Sequence, residues 1–368
     1  MAALHLARGG CQVVVVERDR YPREKICGDA LIADSIRALD RVGLLPEVSV
    51  RAKAISSLQF FSPSQLAVTF STHALVIKRL ELDELIAQAA AAAGAVVAQA
   101  HVERVDAKQP ARLVVRGLQE QITARIAIIA TGADIHLLTP LGMVRRAKPS
   151  VTALRCYIRS DTKIDHMIFS FDQAIAPGYA WLFPLRDGEF NVGCGTSYGG
   201  RRINLAKALD SFIYRFEPLR HFAEGITEVT PMRGATLRCG LTGTASFRTP
   251  NILSIGESVG TTFPLTGAGI GKAMETGELA AAIVLRSLKS KDLSILATFP
   301  SELDALRVRY HRYEIAERWI ASRWLTDVLT RLVQHSHHVK RCAEGVLNQT
   351  TDPRKFFSVR ALLKMLLS

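Results

Sequence analysis

No apolar run in the 368 residues reaches the ~18 positions of a membrane-spanning helix, and no basic-then-apolar leader opens the chain. The expectation is a soluble, cytoplasmic protein. Cysteine is sparse. Cys11, Cys27, Cys156, Cys194, Cys239 and Cys342 contain no C-x-x-C pair and no regular spacing, which argues against a disulfide framework or a zinc ribbon and predicts reduced thiols. Acidic residues are short by comparison, 34 against 47 Lys and Arg, which leaves a formal charge of +13. No RNP, zinc-finger or helix-turn-helix signature accompanies that charge, so a nucleic-acid partner is not expected. Anionic lipid or phosphorylated ligands suit it as well. The clusters Arg145-Arg146-Lys148, Arg201-Arg202 and Lys340-Arg341 read mainly as solvated surface. A G-x-G-x-x-G fingerprint is also missing.

The composition is otherwise that of a globular protein, 48% hydrophobic and 22% charged, and its length allows two domains or one elaborate one. Ala2 to Arg8 favours a short helix closed by Gly9-Gly10. The valines Val13 to Val16 then suit a strand buried on both faces of a parallel sheet, ending in Glu17. Helix, glycine turn, strand and terminal acid match the second half of a dinucleotide-binding βαβ unit, in which the acid holds a ribose. The same remnant also occurs in other α/β proteins. Only 16 residues precede Glu17, where the acid should follow the fingerprint by about 20.

A second stretch, "NILSIGESVGTTFPLTGAGIGKAMETGELAAAIVLRSL", reads as a buried strand from Asn251 to Ile255, a turn with an acid, and a glycine-rich lead into a long helix. Its helix N-terminus would face a flat ligand and favour negative charge there. The segment "GESVGTTFPLTGAGIGKAMETGELAA" closely resembles the "GD-A-G-x-x-x-P-x-x-G-x-G-I" segment of flavoproteins with the p-hydroxybenzoate hydroxylase fold, specifically the geranylgeranyl reductase family. "YPREKICGDAL" looks like that family's "P-R-x-K-x-C-G" loop. "KRLELDELIAQAA" and "IIATGAD" look like its "R-x-x-x-D-x-x-L" and "A-T-G-A" segments.

The resemblance implies an α/β protein. A Rossmann-like FAD-binding domain (1–50, 75–145 and 245–290) would join a β-rich substrate domain (51–74 and 146–244) and a helical C-terminal region (291–368). It implies FAD, reduced by NAD(P)H or another reductant, and a lipophilic prenyl-chain substrate. Carried over, Glu17 would hold the ribose and Arg18 lie beside the adenine and phosphates. Arg79 would meet the pyrophosphate or ribityl chain, and Val102 the adenine. Thr131 and Gly132 would pass the adenosine half, Gly256 and Glu257 the pyrophosphate and ribityl. Pro264, Gly267, Ala268, Gly269 and Ile270 would line the isoalloxazine. Two departures stand out: Glu257 replaces the usual Asp, and the family's "G-x-G-P-A-G-S" stretch would fall before "MAALHLARGG". The expectation is a misplaced start codon or a truncated gene, at a cost in flavin affinity.

In "PGYAWLFPLRDGEFNVGCGTS", Tyr179, Trp181 and Phe183 alternate on one strand face. Asp187-Gly188 makes a hairpin turn, and Asn191, Gly193 and Gly195 alternate on the return. This is an aromatic wall beside a glycine floor, or ordinary core. The family's "Y-x-W-x-F-P" signature matches here and implies that Tyr179, Trp181, Phe183, Gly193 and Gly28 border an isoprenoid cavity, although Leu185 stands where a lysine is common. Cys27 borders the reacting bond by the same resemblance, as a proton donor or as packing. From Asp292 the pattern is helical, with Tyr310, Tyr313, Trp319, Ile320, Trp324 and Leu325 as one apolar stripe, and "FFSVRALLKMLLS" is a short amphipathic end. That end caps the domain or touches a membrane surface. His335 to His338 reads as a solvated helix end. The function expected is FAD-dependent reduction of isoprenoid double bonds. The alternatives are a flavin monooxygenase or halogenase, whose tryptophan-isoleucine-proline signature "YAWLFP" lacks, and a truncated non-catalytic product.

Overall fold

A computed structural model describes all residues except 109, 117–120, 198–202, 242–250, 265 and 362–368. The Arg201-Arg202 pair and the last residues of the C-terminal amphipathic stretch lie outside the described residues. The helix Ala2–Arg8 stops where Gly10 takes a φ of +81° and the Cys11 amide bonds back to Leu6 O. The strand Val14–Glu17 follows and pairs in parallel with Val96–Gln99. A second parallel pair joins Ala127–Ile129 to Ile252–Ser254. Among the described residues no strand bridges the two pairs.

That arrangement corrects the expectation for the valine run. Val14 is 51% exposed and its strand is nowhere fully buried, because it has a hydrogen-bonded neighbour on one edge only and borders an internal cavity on the other. Ile252–Ser254, by contrast, is buried throughout. The helix Ile270–Ser290 packs Ala280, Ala281, Ile283 and Val284 against Leu6, Leu253 and Ile255. Its first turn comes close to the helix Ala33–Arg41. A Cβ at Gly271 would stand 2.3 Å from the Asp34 carboxyl, and Lys272, 1% exposed, pairs with Asp34 at 3.0 Å.

The β-rich part is a nine-stranded mixed sheet. It runs from Ile226–Val229 through Val151–Ser160, Glu189–Ser197, Gly178–Pro184, Met167–Ser170, Lys53–Phe61 and Ala67–Val76 to Ala30–Leu31, with Arg233–Leu237 also on Val151–Ser160. The hairpin turn lies at Asp187-Gly188, with φ of +57° and +70°, the pair of left-handed residues a tight two-residue turn needs. Its register sets Tyr179 opposite Gly195, Trp181 opposite Gly193 and Phe183 opposite Asn191.

The helices Phe299–Ile320, Arg323–His335 and His337–Leu347 cover one face of this sheet, where Leu329, Val333 and Val346 meet Val68, Phe70 and Val76. The expected single stripe breaks. The chain leaves helical geometry at Ser322 (ψ 111°), which resets the phase, so Tyr310 and Tyr313 are buried while Trp324 is 67% exposed. The histidine-rich stretch is a junction of two helices, its Ser336 side chain accepting from the Val339 amide. Gly271→Ala overpacks the Asp34 contact and should cost about 1–3 kcal/mol, read as a lower midpoint in urea unfolding.

Candidate active site

One continuous cavity of about 2200 Å3 runs from the gap between the two parallel strand pairs to the face under the C-terminal helices. Drug-sized pockets occupy roughly 300–1,000 Å3, so this space can take a dinucleotide and a second ligand together. The loop Cys27-Gly28-Asp29 stands where the two arms meet.

Asp29 is fully buried, has a φ of +65°, and accepts three hydrogen bonds. They come from Tyr157 Oη (2.7 Å), Asn191 Nδ2 (2.8 Å) and the Arg79 amide (3.2 Å). Burial pushes its carboxyl up to about 6, with the Tyr157 and Asn191 bonds pulling the other way. Asn191 also donates to Cys27 O at 2.8 Å and accepts from Trp181 Nε1 at 2.9 Å. Burial raises the Cys27 thiol above its ordinary value, and the Asp29 charge adds to this. The Arg79 guanidinium and the Asp29 amide, both bonded to the sulfur, draw it back.

Towards the strand Val14–Glu17 the walls carry charge. Arg23 bridges Glu17 (2.9 Å) and Asp83 (3.0 Å), and Arg79 takes Asp83 in a two-bonded fork, 2.8 Å on each arm. Burial opposes the Arg79 charge, but Asp83 and Cys27 outweigh it and hold the guanidinium above its usual value. Arg18 is exposed and pairs with Asp19. Lys25 differs from all of these: among the described residues its ammonium forms no ion pair. It sits over Gly132, where a Cβ would come within 3.3 Å of Nζ and 4.0 Å of Glu257 Oε2. Burial and then Arg79 lower the Lys25 ammonium, and burial raises the Glu257 carboxyl.

The junction is roofed by the lead into the helix Ile270–Ser290. Gly267 has a φ of +64°, and a Cβ there would lie 2.8 Å from Tyr179 Oη, which donates to Thr266 O at 2.7 Å. Gly269 is the N-cap and supplies no side-chain cap, so the first amides of the helix are left for a ligand ahead of it. Pro264, Gly267, Ala268, Gly269 and Ile270 all line the cavity.

Comparison with protein-family models gives no match. The chain is 31% identical over 342 residues to the menaquinone reductase of Mycobacterium tuberculosis (strain H37Rv), covering 86% of this chain and 79% of that one. The chain belongs to the geranylgeranyl reductase family of FAD-dependent oxidoreductases. The digeranylgeranylglycerophospholipid reductase of Methanocaldococcus jannaschii is 26% identical over 308 residues, covering 80% and 76%. Among solved structures, a geranylgeranyl bacteriochlorophyll reductase-like protein of Thermoplasma acidophilum superposes with a TM-score of 0.78 at 20% identity, covering 100% and 92%. A flavin-dependent brominase gives 0.75 at 14% identity, covering 100% and 94%.

The residues of this flavoenzyme fit a flavin. Gly267 and Gly269 leave bare backbone on the cavity wall, where side chains would collide with Tyr179 and Thr262, and Lys25 offers a positive charge suited to an anionic group. Glu17, Arg18, Val102, Thr131, Gly132, Gly256 and Glu257 line the cavity as well, while the Thr131 hydroxyl donates to Asp134 O and Val102 O meets His136. Arg79 lines it too, its guanidinium forked onto Asp83 through Nε and Nη2. One expectation changes. Gly193 does not line the cavity, because the Trp181 ring lies over it, 2.3 Å from a Cβ placed there. Gly28 does line the cavity, against the Phe183 ring, which a Cβ there would meet at 3.1 Å. Lys25 and Asp29 escaped the sequence reading, since a loop has no periodicity to mark which side chains turn inward. Lys25→Met should weaken FAD binding by about tenfold or more, measured by flavin fluorescence titration.

Proposed function

We propose that this flavoenzyme reduces isoprenoid carbon–carbon double bonds of a lipophilic, polyprenyl-bearing substrate, with a quinone side chain as the first candidate. The observation that carries the reading is the apolar arm of the cavity. It leaves the Cys27 loop between the aromatic sheet face (Phe169, Tyr179, Trp181, Phe183) and the covering helices, where Leu329 and Val333 line it. The relative named menaquinone reductase supports the choice of a quinone. No described helix is long and apolar enough to cross a membrane, so a lipid-dissolved chain would be drawn from the membrane surface.

FAD, when bound and reduced by NAD(P)H or another two-electron donor, supplies the hydride. The protein contributes the rest. Gly267 to Ile270 and Lys25 would hold the cofactor, while Tyr179 and Trp181 orient the prenyl chain in a space that excludes water. Cys27 Sγ holds a proton: burial keeps the thiol neutral at physiological pH, and Arg79 with the Asp29 amide stands ready to stabilise the thiolate. The S–H bond breaks as a C–H bond forms on the second carbon of the alkene, and once the product has left, entering water gives the thiolate its proton back.

FAD-loaded protein, reduced without oxygen and mixed with a polyprenyl quinone, should yield a product two hydrogens heavier per bond, read by mass spectrometry. A product formed only with oxygen, and carrying an oxygen or halogen atom, would assign the site to a monooxygenase or halogenase instead. Cys27→Ala should lower kcat by about 10²-fold with little change in KM.

A further inference from the structure

Asp29 does more than fill space beside Cys27. Its carboxylate is the common acceptor of three donors from three separate elements: Tyr157 on Val151–Ser160, Asn191 on Glu189–Ser197, and the first amide of the helix Arg79–Ala92. Two of those donors lead straight back to the chemistry. Asn191 uses its other hydrogen bonds to hold Cys27 O and the Trp181 indole, and Arg79 bonds the Cys27 sulfur. The backbone of Asp29 is left-handed, a conformation uncommon for a residue other than glycine and held here by the surrounding bonds.

We infer that Asp29 is a positioning residue. By drawing Tyr157, Asn191 and the Arg79 amide together, its carboxylate sets where Cys27 Sγ and the Trp181 ring stand at the junction of the two cavity arms. The inference rests on the reading of Cys27 as the residue beside the reacting bond, but its test reads the thiol and not turnover, so the two can fail separately.

The ionised carboxylate makes the clasp. It accepts all three donors, whereas the protonated acid turns one lone-pair site into a donor and leaves Tyr157 or Asn191 short of an acceptor. Its negative charge also raises the Cys27 thiol, so losing that charge favours the thiolate and loosens the loop in the same direction. Burial places the change at about pH 6. The other charged groups facing this locus are Arg155, whose guanidinium stacks on the Tyr157 ring at 4.1 Å, Lys78 at 4.7 Å from that ring, and Arg79. Lys25 and Glu257 lie one layer further on and act on each other, and Lys25 on Cys27 as well.

The test is the rate at which 4,4′-dithiodipyridine labels Cys27, resolved from the other cysteines by peptide mass spectrometry and divided by the rate for a free cysteine peptide at the same pH. In the wild-type protein this ratio should rise about tenfold as pH falls from ~7.5 to ~5, with a midpoint near 6. Asp29→Asn should be about tenfold more reactive at pH ~7.5 and show no midpoint. Tyr157→Phe removes a bond that favours the carboxylate, so its midpoint should move upward. Filling space alone would not move a midpoint. A flat wild-type profile, a midpoint that survives in Asp29→Asn (which would point to Glu257), or an unmoved midpoint in Tyr157→Phe would each overturn the inference. Should Asp29→Asn fail to fold by circular dichroism, the wild-type and Tyr157→Phe profiles still decide.

Discussion

The arrangement depends on how closely the helix Ile270–Ser290 approaches the helix Ala33–Arg41. Gly271 permits the approach, since any side chain would collide with Asp34, and the buried Lys272–Asp34 ion pair fixes it. A buried pair of this kind adds little net stability, but breaking it would strand a charge, so the contact specifies one position. From that position the lead Pro264 to Ile270 hangs over the cavity junction, and Tyr179 ties the sheet to it through Thr266 O. The flavin cradle and the aromatic face are thus two ends of one rigid contact.

Around the junction the protein keeps a dense set of buried polar groups, which is costly unless each finds a partner. Arg79, Asp83, Arg23 and Glu17 satisfy one another in a chain, and Asp29, Asn191, Trp181 and Tyr157 do so in a second. Cys27 lies between the two networks. Lys25 belongs to neither, and an anionic ligand is the natural completion of its environment.

Elements whose geometry is local were legible in the sequence. The Asp187-Gly188 hairpin, the alternation of Tyr179, Trp181 and Phe183, and the glycine lead into the helix after Pro264 each follow from nearest-neighbour chemistry. What failed was inference about space. Periodicity shows that Gly193 shares a face with its neighbours but not that the Trp181 ring from the paired strand fills the room above it. The fork of Arg79 on Asp83, four residues on along one helix, was readable from the spacing. The both-face burial expected for the valine run assumed hydrogen-bonded neighbours on either edge, and among the described residues Val14–Glu17 has one.

The central claim is that a flavin ring lies against the backbone at the head of the helix Ile270–Ser290. Hydrogen–deuterium exchange of the purified protein with and without FAD tests it most directly. The account predicts that FAD slows exchange at the amides of Gly267 to Lys272, and again around Lys25 and Gly132. Exchange at Gly267 to Lys272 left unchanged under saturating FAD would contradict it.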